Sequence, residues 1–131
     1  MPNTQPPAVS SRKRRILLLE DAPEIRTLLE RRLANAGYEV LTAGDAVEAG
    51  KLVVQRSPDL IIADIQLPYM SGDEFVAALR ADPAVRDIPV IFLSVDAQLE
   101  AHAKRLGAVA YFDKSVSAER LVEVVDFYTA G

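Results

Sequence analysis

Residues 60–72 read LIIADIQLPYMSG and bear on both fold and function. Four apolar residues, typical of a fully buried strand, lead directly to one carboxylate, Asp64. Pro68 and Gly72 then turn the chain. Because an unpaired carboxylate at the end of a hydrophobic core is costly, we expect other strands to bring partners to Asp64.

Short apolar runs alternate with segments of helical periodicity on both sides of this stretch. The predicted strands are 15–20, 38–43, 58–63, 88–94 and 108–113, and the predicted helices are 21–37, 45–56, 72–81, 97–107 and 118–130. The connections are short and the third and fourth strands are continuously apolar. This pattern predicts an α/β fold, a doubly wound five-stranded parallel sheet with five helices.

The length of 131 residues suits one domain, which we place at 14–131 after a flexible, basic-ended tail at 1–13. The chain contains no cysteine, which excludes disulfides and thiolate metal sites. It has no membrane-length apolar run and no signal-peptide pattern, so we expect a cytoplasmic protein without a membrane partner. The net charge is -4 although residues 12–15 are all basic, so the rest of the chain is strongly acidic. An acidic surface argues against direct binding of nucleic acid.

The carboxyl ends of parallel strands share one edge of the sheet, where ligands bind in folds of this kind. Glu20 and Asp21 end the first predicted strand, Asp64 the third and Ser94 the fourth, and Lys114 follows the fifth. Three crowded carboxylates repel unless a cation joins them, and Mg²⁺ or Mn²⁺ prefers such oxygen ligands. The set is typical of phosphoryl transfer to a carboxylate, with Asp64 as the nucleophile.

Four motifs at these strand ends carry a family resemblance. They are LLLED at 17–21, IIADIQLPYMSG at 61–72, IFLSV at 91–95 and GAVAYFDK at 107–114. In this order they resemble the receiver domain of two-component response regulators, as in single-domain chemotaxis or sporulation-relay proteins. The resemblance implies the flavodoxin-like strand order 2-1-3-4-5. It also implies a phosphorylation-switched signalling module, which is no enzyme beyond its own phosphorylation and autodephosphorylation.

The resemblance assigns roles to the acidic residues. Asp64 would accept the phosphoryl group from a histidine kinase or a histidine phosphotransfer protein. Asp21, Asp64 and the backbone carbonyl of Gln66 would hold Mg²⁺, while Glu20 would act mainly through a coordinated water.

Further roles follow for the other strand ends. Lys114 would contact the phosphate, and Ser94 would be the switch hydroxyl. Tyr111 would be the aromatic residue that moves inward when that hydroxyl is drawn to the phosphoryl group. Pro68 and Gly72 would shape the loop after the phosphoacceptor.

Several positions depart from the family pattern or flank the mouth of the site. Ser115 follows Lys114 where the family usually has proline, often with a cis bond. We therefore expect a trans bond with a rearranged loop, or else a strained cis bond. Val95 replaces a small residue. Together with Gln66 and Asp96, it would modulate access to the phosphate and its lifetime, and Asp96 would place negative charge where attacking water approaches.

The resemblance also implies surfaces for partners. Ile25 and Leu28 would dock the phosphodonor, and the fourth helix, fifth strand and fifth helix would form the face for a downstream protein target or a weak homodimer. On the last helix we predict a buried stripe with two apolar flanks, the stripe being Leu121, Val124, Val125 and Tyr128 and the flanks Val122 and Phe127. His102 is expected to be exposed and not to carry phosphate. Because the sequence ends at residue 131, we expect a stand-alone receiver rather than part of a longer protein, and a monomer is compatible with this.

Two other functions use the same residues. A magnesium-dependent phosphatase with an aspartyl nucleophile usually has a second acid two residues after the nucleophile, and Gln66 at that position argues against it. A phosphate-independent interaction scaffold would not need the acidic pair, Asp64 and Lys114 together, although Ser115 and Val95 leave room for it.

Overall fold

The computed structural model describes residues 12–130, in which strands and helices alternate strictly. The strands are β1 (Arg15–Leu19), β2 (Glu39–Ala43), β3 (Leu60–Ala63), β4 (Val90–Ser94) and β5 (Ala110–Asp113). The helices are α1 (Pro23–Asn35), α2 (Ala46–Arg56), α3 (Gly72–Ala81), α4 (Leu99–Arg105) and α5 (Ala118–Thr129). All strand pairs are parallel, in the order β2-β1-β3-β4-β5, which confirms the predicted fold class and strand order.

Local side chains set where most helices begin. The side chains of Asp45, Ser71 and Ser117 each accept a hydrogen bond from a backbone N–H in the first turn of α2, α3 and α5, respectively. The predicted α4 is too long at both ends. Its start is delayed because the Asp96 carboxylate accepts a hydrogen bond from the Gln98 N–H in a turn that precedes the helix.

Two apolar layers enclose the sheet. Helices α2, α3 and α4 cover one face, where Leu17 and Phe92 of the sheet are buried, and α1 and α5 cover the other, where Ile16 and Ile91 are buried. The central strands β1, β3 and β4 are therefore buried on both faces, as their continuous apolar runs predict. Burial of this kind aligns the strands rigidly and determines where the residue after each strand lies.

Two helices differ from the periodic prediction at their C-terminal ends. Ala36, which lies within the predicted helix 21–37, is an exposed residue just beyond the observed α1. In α5, Leu121 and Val125 are buried, whereas 38% of Tyr128 is exposed. The prediction that Tyr128 belongs to the core stripe is wrong because Tyr128 lies beside β5, the edge strand, and the described part of the chain has no further strand to cover it.

The end of the sheet at which the parallel strands begin, which we call the amino edge, carries ion pairs. Arg12 lies 3.2 Å from the carboxylate of Asp59, and Arg15 lies 2.9 Å from that of Glu39, which also pairs with Arg56. Arg12 and Arg15, two of the four basic residues at 12–15, therefore form ion pairs and are not only surrounded by solvent. Most of the predicted tail, residues 1–11, lies outside the described residues. Among residues 12–130 no helix is long and apolar enough to cross a membrane.

Candidate functional site

The carboxyl-terminal end of the sheet, here the carboxyl edge, gathers the predicted acidic residues. Leu19 and Ala63 are register partners in β1 and β3, so the residues that follow them, Glu20 and Asp64, emerge side by side. Both are buried, with 1% and 2% of their surface exposed, while Asp21 is exposed. One carboxylate oxygen from each of the three residues lies within 4.8 Å of the others.

Lys114 reaches into this acidic group from the loop after β5. Its Nζ lies 2.5 Å from Asp64 Oδ2 and 3.0 and 3.1 Å from the two carboxylate oxygens of Glu20. Partial burial works to lower the pKa of Lys114, but the hydrogen bonds to Asp64 and Glu20 outweigh it and raise that pKa above its usual value. The lysine is thus held in its charged form by the two buried carboxylates.

One ammonium group does not balance three carboxylates. Burial raises the pKa of Glu20, although the Ala22 N–H and Lys114 partly oppose this. Glu20 Oε1 is buried and accepts no hydrogen bond of suitable geometry from any described residue, even though it lies near the Lys114 ammonium. An orphaned oxygen beside two further carboxylates is the donor set that a hard divalent cation requires, so these residues fit Mg²⁺ or Mn²⁺.

The loop after β3 packs tightly against the Asp64 backbone. A Cβ atom at Gly72 would lie 1.9 Å from the Asp64 carbonyl oxygen, so only glycine fits this position without displacing the chain. The Gly72 N–H donates to the Ile65 carbonyl at 2.8 Å and closes the loop, while Pro68 lies exposed near its tip. The Gln66 N–H donates to Asp64 Oδ1 at 3.0 Å, which fixes the second oxygen of that carboxylate.

The predicted switch residues lie on β4 and β5. Ser94 is fully buried, and its Oγ accepts a hydrogen bond from the Asp96 N–H at 3.2 Å. No acceptor among the described residues takes its hydroxyl proton, which can therefore be donated. Tyr111 is 39% exposed and lies on the α4 side of β5. The Lys104 ammonium, with a smaller contribution from the Tyr111 hydroxyl, lowers the pKa of Glu100. Tyr111 therefore points outward in this structure.

The loop that contains Ser115 adopts the first of the two expected arrangements. The Lys114–Ser115 bond is trans, as is every peptide bond in the described part of the chain. The Ser115 N–H donates to the Asp113 carboxylate at 2.9 Å, and the Val116 N–H donates to the Asp113 carbonyl at 3.0 Å. Asp113 thus stabilises the turn that directs Lys114 toward Asp64.

The three residues expected at the mouth of the site do not all point the same way. Gln66 and Val95 are exposed. The Asp96 carboxylate instead faces α4, where one oxygen accepts a hydrogen bond from the Gln98 N–H at 2.6 Å and the other lies 3.9 Å from His102 Nε2. Its turn toward α4 differs from the expected placement of its charge beside the attacking water.

His102 and the expected docking pair also have distinct environments. The expectation that His102 is simply exposed is wrong, since only 23% of its side chain is exposed and its Nδ1 lies 3.0 Å from Asp73. No local pattern signals this contact, because the two residues are 29 positions apart. Ile25, in the first turn of α1, is partly buried against the core, and Leu28 in the same helix is 52% exposed. Their docking role stays a prediction.

Comparison with known proteins agrees with this geometry. Residues 16–126 match the family described as the response regulator receiver domain. The polar-differentiation response regulator DivK of Brucella anthropi is 36% identical over 116 residues, covering 86% of this chain and 94% of DivK. The chemotaxis response regulator CheY4 of Vibrio cholerae superposes with a TM-score of 0.82 at 30% identity, covering 89% of this chain and 99% of that structure.

Some relatives are much longer than this chain. Hybrid signal transduction histidine kinase D of Dictyostelium discoideum is 38% identical over 117 residues, covering 87% of this chain but only 8% of the kinase. Two further curated relatives are spanned to 46% and 48% of their lengths. The match with the family extends from β1 to α5 and includes every strand end that contributes to the carboxyl edge. The chain therefore belongs to the response regulator receiver domain family and is a receiver domain of two-component signalling.

Proposed function

We propose that Asp64 accepts a phosphoryl group from a phosphohistidine of a histidine kinase or a histidine phosphotransfer protein. A carboxylate oxygen of Asp64 forms the new P–O bond as the P–N bond of the donor breaks. The donor imidazole keeps the electron pair of the broken bond. The product is a mixed anhydride that water later hydrolyses, which returns Asp64 to its free form.

The observation that carries this proposal is the buried, ion-paired carboxylate of Asp64 at the end of β3. Lys114 holds one of its oxygens at 2.5 Å and the Gln66 N–H holds the other at 3.0 Å, so the nucleophile is fixed before the donor arrives. Phosphorylation removes the charge of the carboxylate and places negative charge on the phosphoryl oxygens. We expect the Lys114 ammonium to follow that charge.

The acidic residues define the metal site of the proposal. Asp21, Asp64 and the Gln66 carbonyl would hold Mg²⁺ or Mn²⁺ directly, with Glu20 acting mainly through water. A bound divalent cation supplies neutralisation of the negative charge on the reacting phosphoryl oxygens. The burial of Glu20 and its orphaned oxygen support a role for this residue beside the metal.

Phosphorylation would then change a protein-binding surface. The free hydroxyl proton of Ser94 would be donated to a phosphoryl oxygen, and Tyr111 would turn inward from its exposed position. The responsive face would be α4, β5 and α5, which would bind a downstream protein or form a weak homodimer of an otherwise monomeric chain. Ile25 and Leu28 would contact the phosphodonor, and the cytoplasm would be the site of action.

The test is incubation of the chain with acetyl phosphate and Mg²⁺, followed by intact mass measurement. We expect one phosphoryl adduct in the natural chain and none in Asp64→Asn. Asp59→Asn is the matched control because it removes a partly buried aspartate from the amino edge. An adduct that persists in Asp64→Asn would contradict the proposal.

The same assay separates the alternatives. Multiple turnover of added phosphoesters would indicate the phosphatase, and no adduct at all would indicate the phosphate-independent scaffold. The rate at which the adduct decays tests the modulators. Alanine at Gln66 or Val95 should change that rate, because these side chains are exposed at the mouth of the site.

A further inference from the structure

A second charged cluster lies between α3, α4 and the loop that joins β4 to α4. It consists of Asp73 in the first turn of α3, Asp96 in the loop, and His102 and Arg105 on α4, and we call it the His102 cluster. None of these residues belongs to the acidic group around Asp64. Among the described residues, Asp73, Asp96 and Arg105 are the charged groups that lie within 4 Å of a His102 ring nitrogen.

The geometry around His102 Nδ1 identifies its proton. Asp73 Oδ1 lies 3.0 Å from Nδ1, and the Arg105 guanidinium lies 2.5 Å from the same oxygen. An ionised carboxylate only accepts hydrogen bonds, so Nδ1 carries a proton and donates it to Asp73. Arg105 is 3.2 Å from Nδ1 because both groups share this acceptor. These contacts lower the pKa of Asp73 although partial burial opposes them, so Asp73 stays ionised.

The other ring nitrogen is where the charge of the imidazole changes. With Nδ1 protonated, neutral His102 presents the lone pair of Nε2 toward Asp96 Oδ2, 3.9 Å away. Imidazolium would present an N–H there instead and attract the carboxylate. The strength of this contact therefore depends on whether the imidazole is neutral or charged.

Asp96 connects the cluster to the proposed switch. Its backbone N–H donates to Ser94 Oγ at 3.2 Å, while its side chain lies between the Gln98 N–H and His102. Movement of Ser94 toward a phosphoryl group on Asp64 must alter this hydrogen bond. The loop is therefore held at one end by the hydroxyl that is proposed to move, and at the other by the imidazole.

We propose that His102 is a positioning residue, which tethers Asp96 to Asp73 and so holds Ser94 in the arrangement that precedes phosphorylation. This inference rests on the proposed function, since it matters only if a phosphoryl group on Asp64 draws Ser94. The tether acts when the imidazole is charged, because only then does Nε2 carry an N–H that faces the Asp96 carboxylate. The chain therefore converts to its phosphorylated arrangement less readily when His102 is charged than when it is neutral.

The experiment uses beryllium fluoride with Mg²⁺ as a tetrahedral phosphate analogue, and NMR of the whole chain with the Ser94 and Tyr111 signals as reporters. The decisive variant is Asp96→Asn, because the amide oxygen still accepts from the Gln98 N–H and only the charge facing His102 is lost. His102→Gln tests the other partner. Lys104→Gln is the control, since it lies on the same helix but pairs with Glu100 on the surface.

The readout is the ratio of the dissociation constant of the natural chain for beryllium fluoride to that of each variant, which cancels pH effects common to all chains. When pH is lowered until the nitrogen NMR signals of the His102 ring show that it is charged, we expect this ratio to rise about threefold for Asp96→Asn and His102→Gln and to stay constant for Lys104→Gln. A constant ratio for Asp96→Asn would overturn the inference.

Two further results separate this inference from the proposed function. If the natural chain binds no beryllium fluoride, or binds it equally well as Asp64→Asn, both the proposed function and the inference fail. If binding depends on Asp64 while the ratio is flat, only the inference fails. Nitrogen NMR of the His102 ring offers an independent check, because a neutral imidazole protonated at Nε2 rather than Nδ1 would also overturn it.

Discussion

The two edges of the sheet treat charge in opposite ways. At the amino edge, Arg12 faces Asp59 and Arg15 faces Glu39, in pairs that stay partly exposed. At the carboxyl edge the described chain buries its three polar or charged core residues, Glu20, Asp64 and Ser94. Among residues 12–130, Lys114 is the single cation whose side chain pairs with the two buried acids there. At the amino edge, the acidic side chains are neutralised by arginines of the same chain. At the carboxyl edge, negative charge remains that a bound cation would neutralise.

This difference suggests different purposes for the two edges. Partly exposed ion pairs contribute little to stability and need no ligand. Buried like charges are unfavourable for stability and are typical of sites that bind a cation or react. The receiver domain therefore concentrates its electrostatic strain where phosphoryl chemistry is proposed.

The largest effect that tests this comparison is expected at Gly72, which fixes Asp64 at the carboxyl edge. Gly72→Ala should destabilise the chain by about 3 kcal/mol, because the new methyl group would overlap the Asp64 carbonyl oxygen, 1.9 Å away. The measurement is chemical denaturation with and without Mg²⁺.

Gly50 provides a matched control. Apart from its own helix backbone and its chain neighbours, a Cβ there meets no atom of the described residues within 4 Å, and the residue lies inside α2. Gly50→Ala should stabilise the chain by about 0.5–1 kcal/mol, since alanine favours a helix. Equal effects of the two substitutions would show that the tight packing behind Asp64 has no energetic role.

A smaller loss is expected when the cation of the carboxyl edge is removed. Lys114→Met leaves Glu20 and Asp64 buried together without a counter-charge, which should cost about 2 kcal/mol at neutral pH in a chelating buffer. Added Mg²⁺ should recover part of this loss, because a bound cation replaces the missing charge.

The control for this substitution is Arg12→Met at the amino edge. Its partner Asp59 is near solvent, so we expect a loss below about 1 kcal/mol and no recovery with Mg²⁺. The contrast between the edges would be refuted if both variants lost the same stability and responded equally to the metal.

The sequence was sufficient for the fold and for the composition of the carboxyl edge. Alternating apolar runs and helical segments reveal a parallel sheet, and residues that follow strands must lie at its carboxyl end. The sequence does not predict which of the acidic residues is buried. Glu20 and Asp21 are adjacent and chemically alike, yet only Glu20 is enclosed, because its side chain alone turns toward Lys114.

What the sequence could not show depends on packing between distant segments. Tyr128 follows the helical period of the core but lies beside the edge strand β5, where no further strand of residues 12–130 covers it. His102 and Asp73 meet because α3 and α4 lie on the same face of the sheet, and no spacing along the chain encodes that contact. Local patterns therefore predict elements well and side-chain partners poorly.

The smallest expected effect distinguishes the edges by the sign of a pH dependence. Burial raises the pKa of Glu20, so its stabilising contribution is present at low pH and is lost as pH rises through that raised value. Burial also acts to raise the pKa of Asp59, but the Arg15 N–H and Arg12 outweigh it and lower that pKa. The contribution of Asp59 is therefore present above the usual carboxyl range and is lost as pH falls.

Glu20→Gln and Asp59→Asn each remove one negative charge, so effects of net charge are the same in both. In a chelating buffer, Glu20→Gln should become more stable relative to the natural chain as pH rises from about 4 to 8, and Asp59→Asn should become less stable as pH rises from about 3 to 5, each by about 1 kcal/mol. The measurement is the free energy of unfolding from urea titrations at each pH. Parallel trends would mean that both carboxylates are equally compensated, whereas diverging trends would show that only the carboxyl edge stores unfavourable charge for a ligand to relieve.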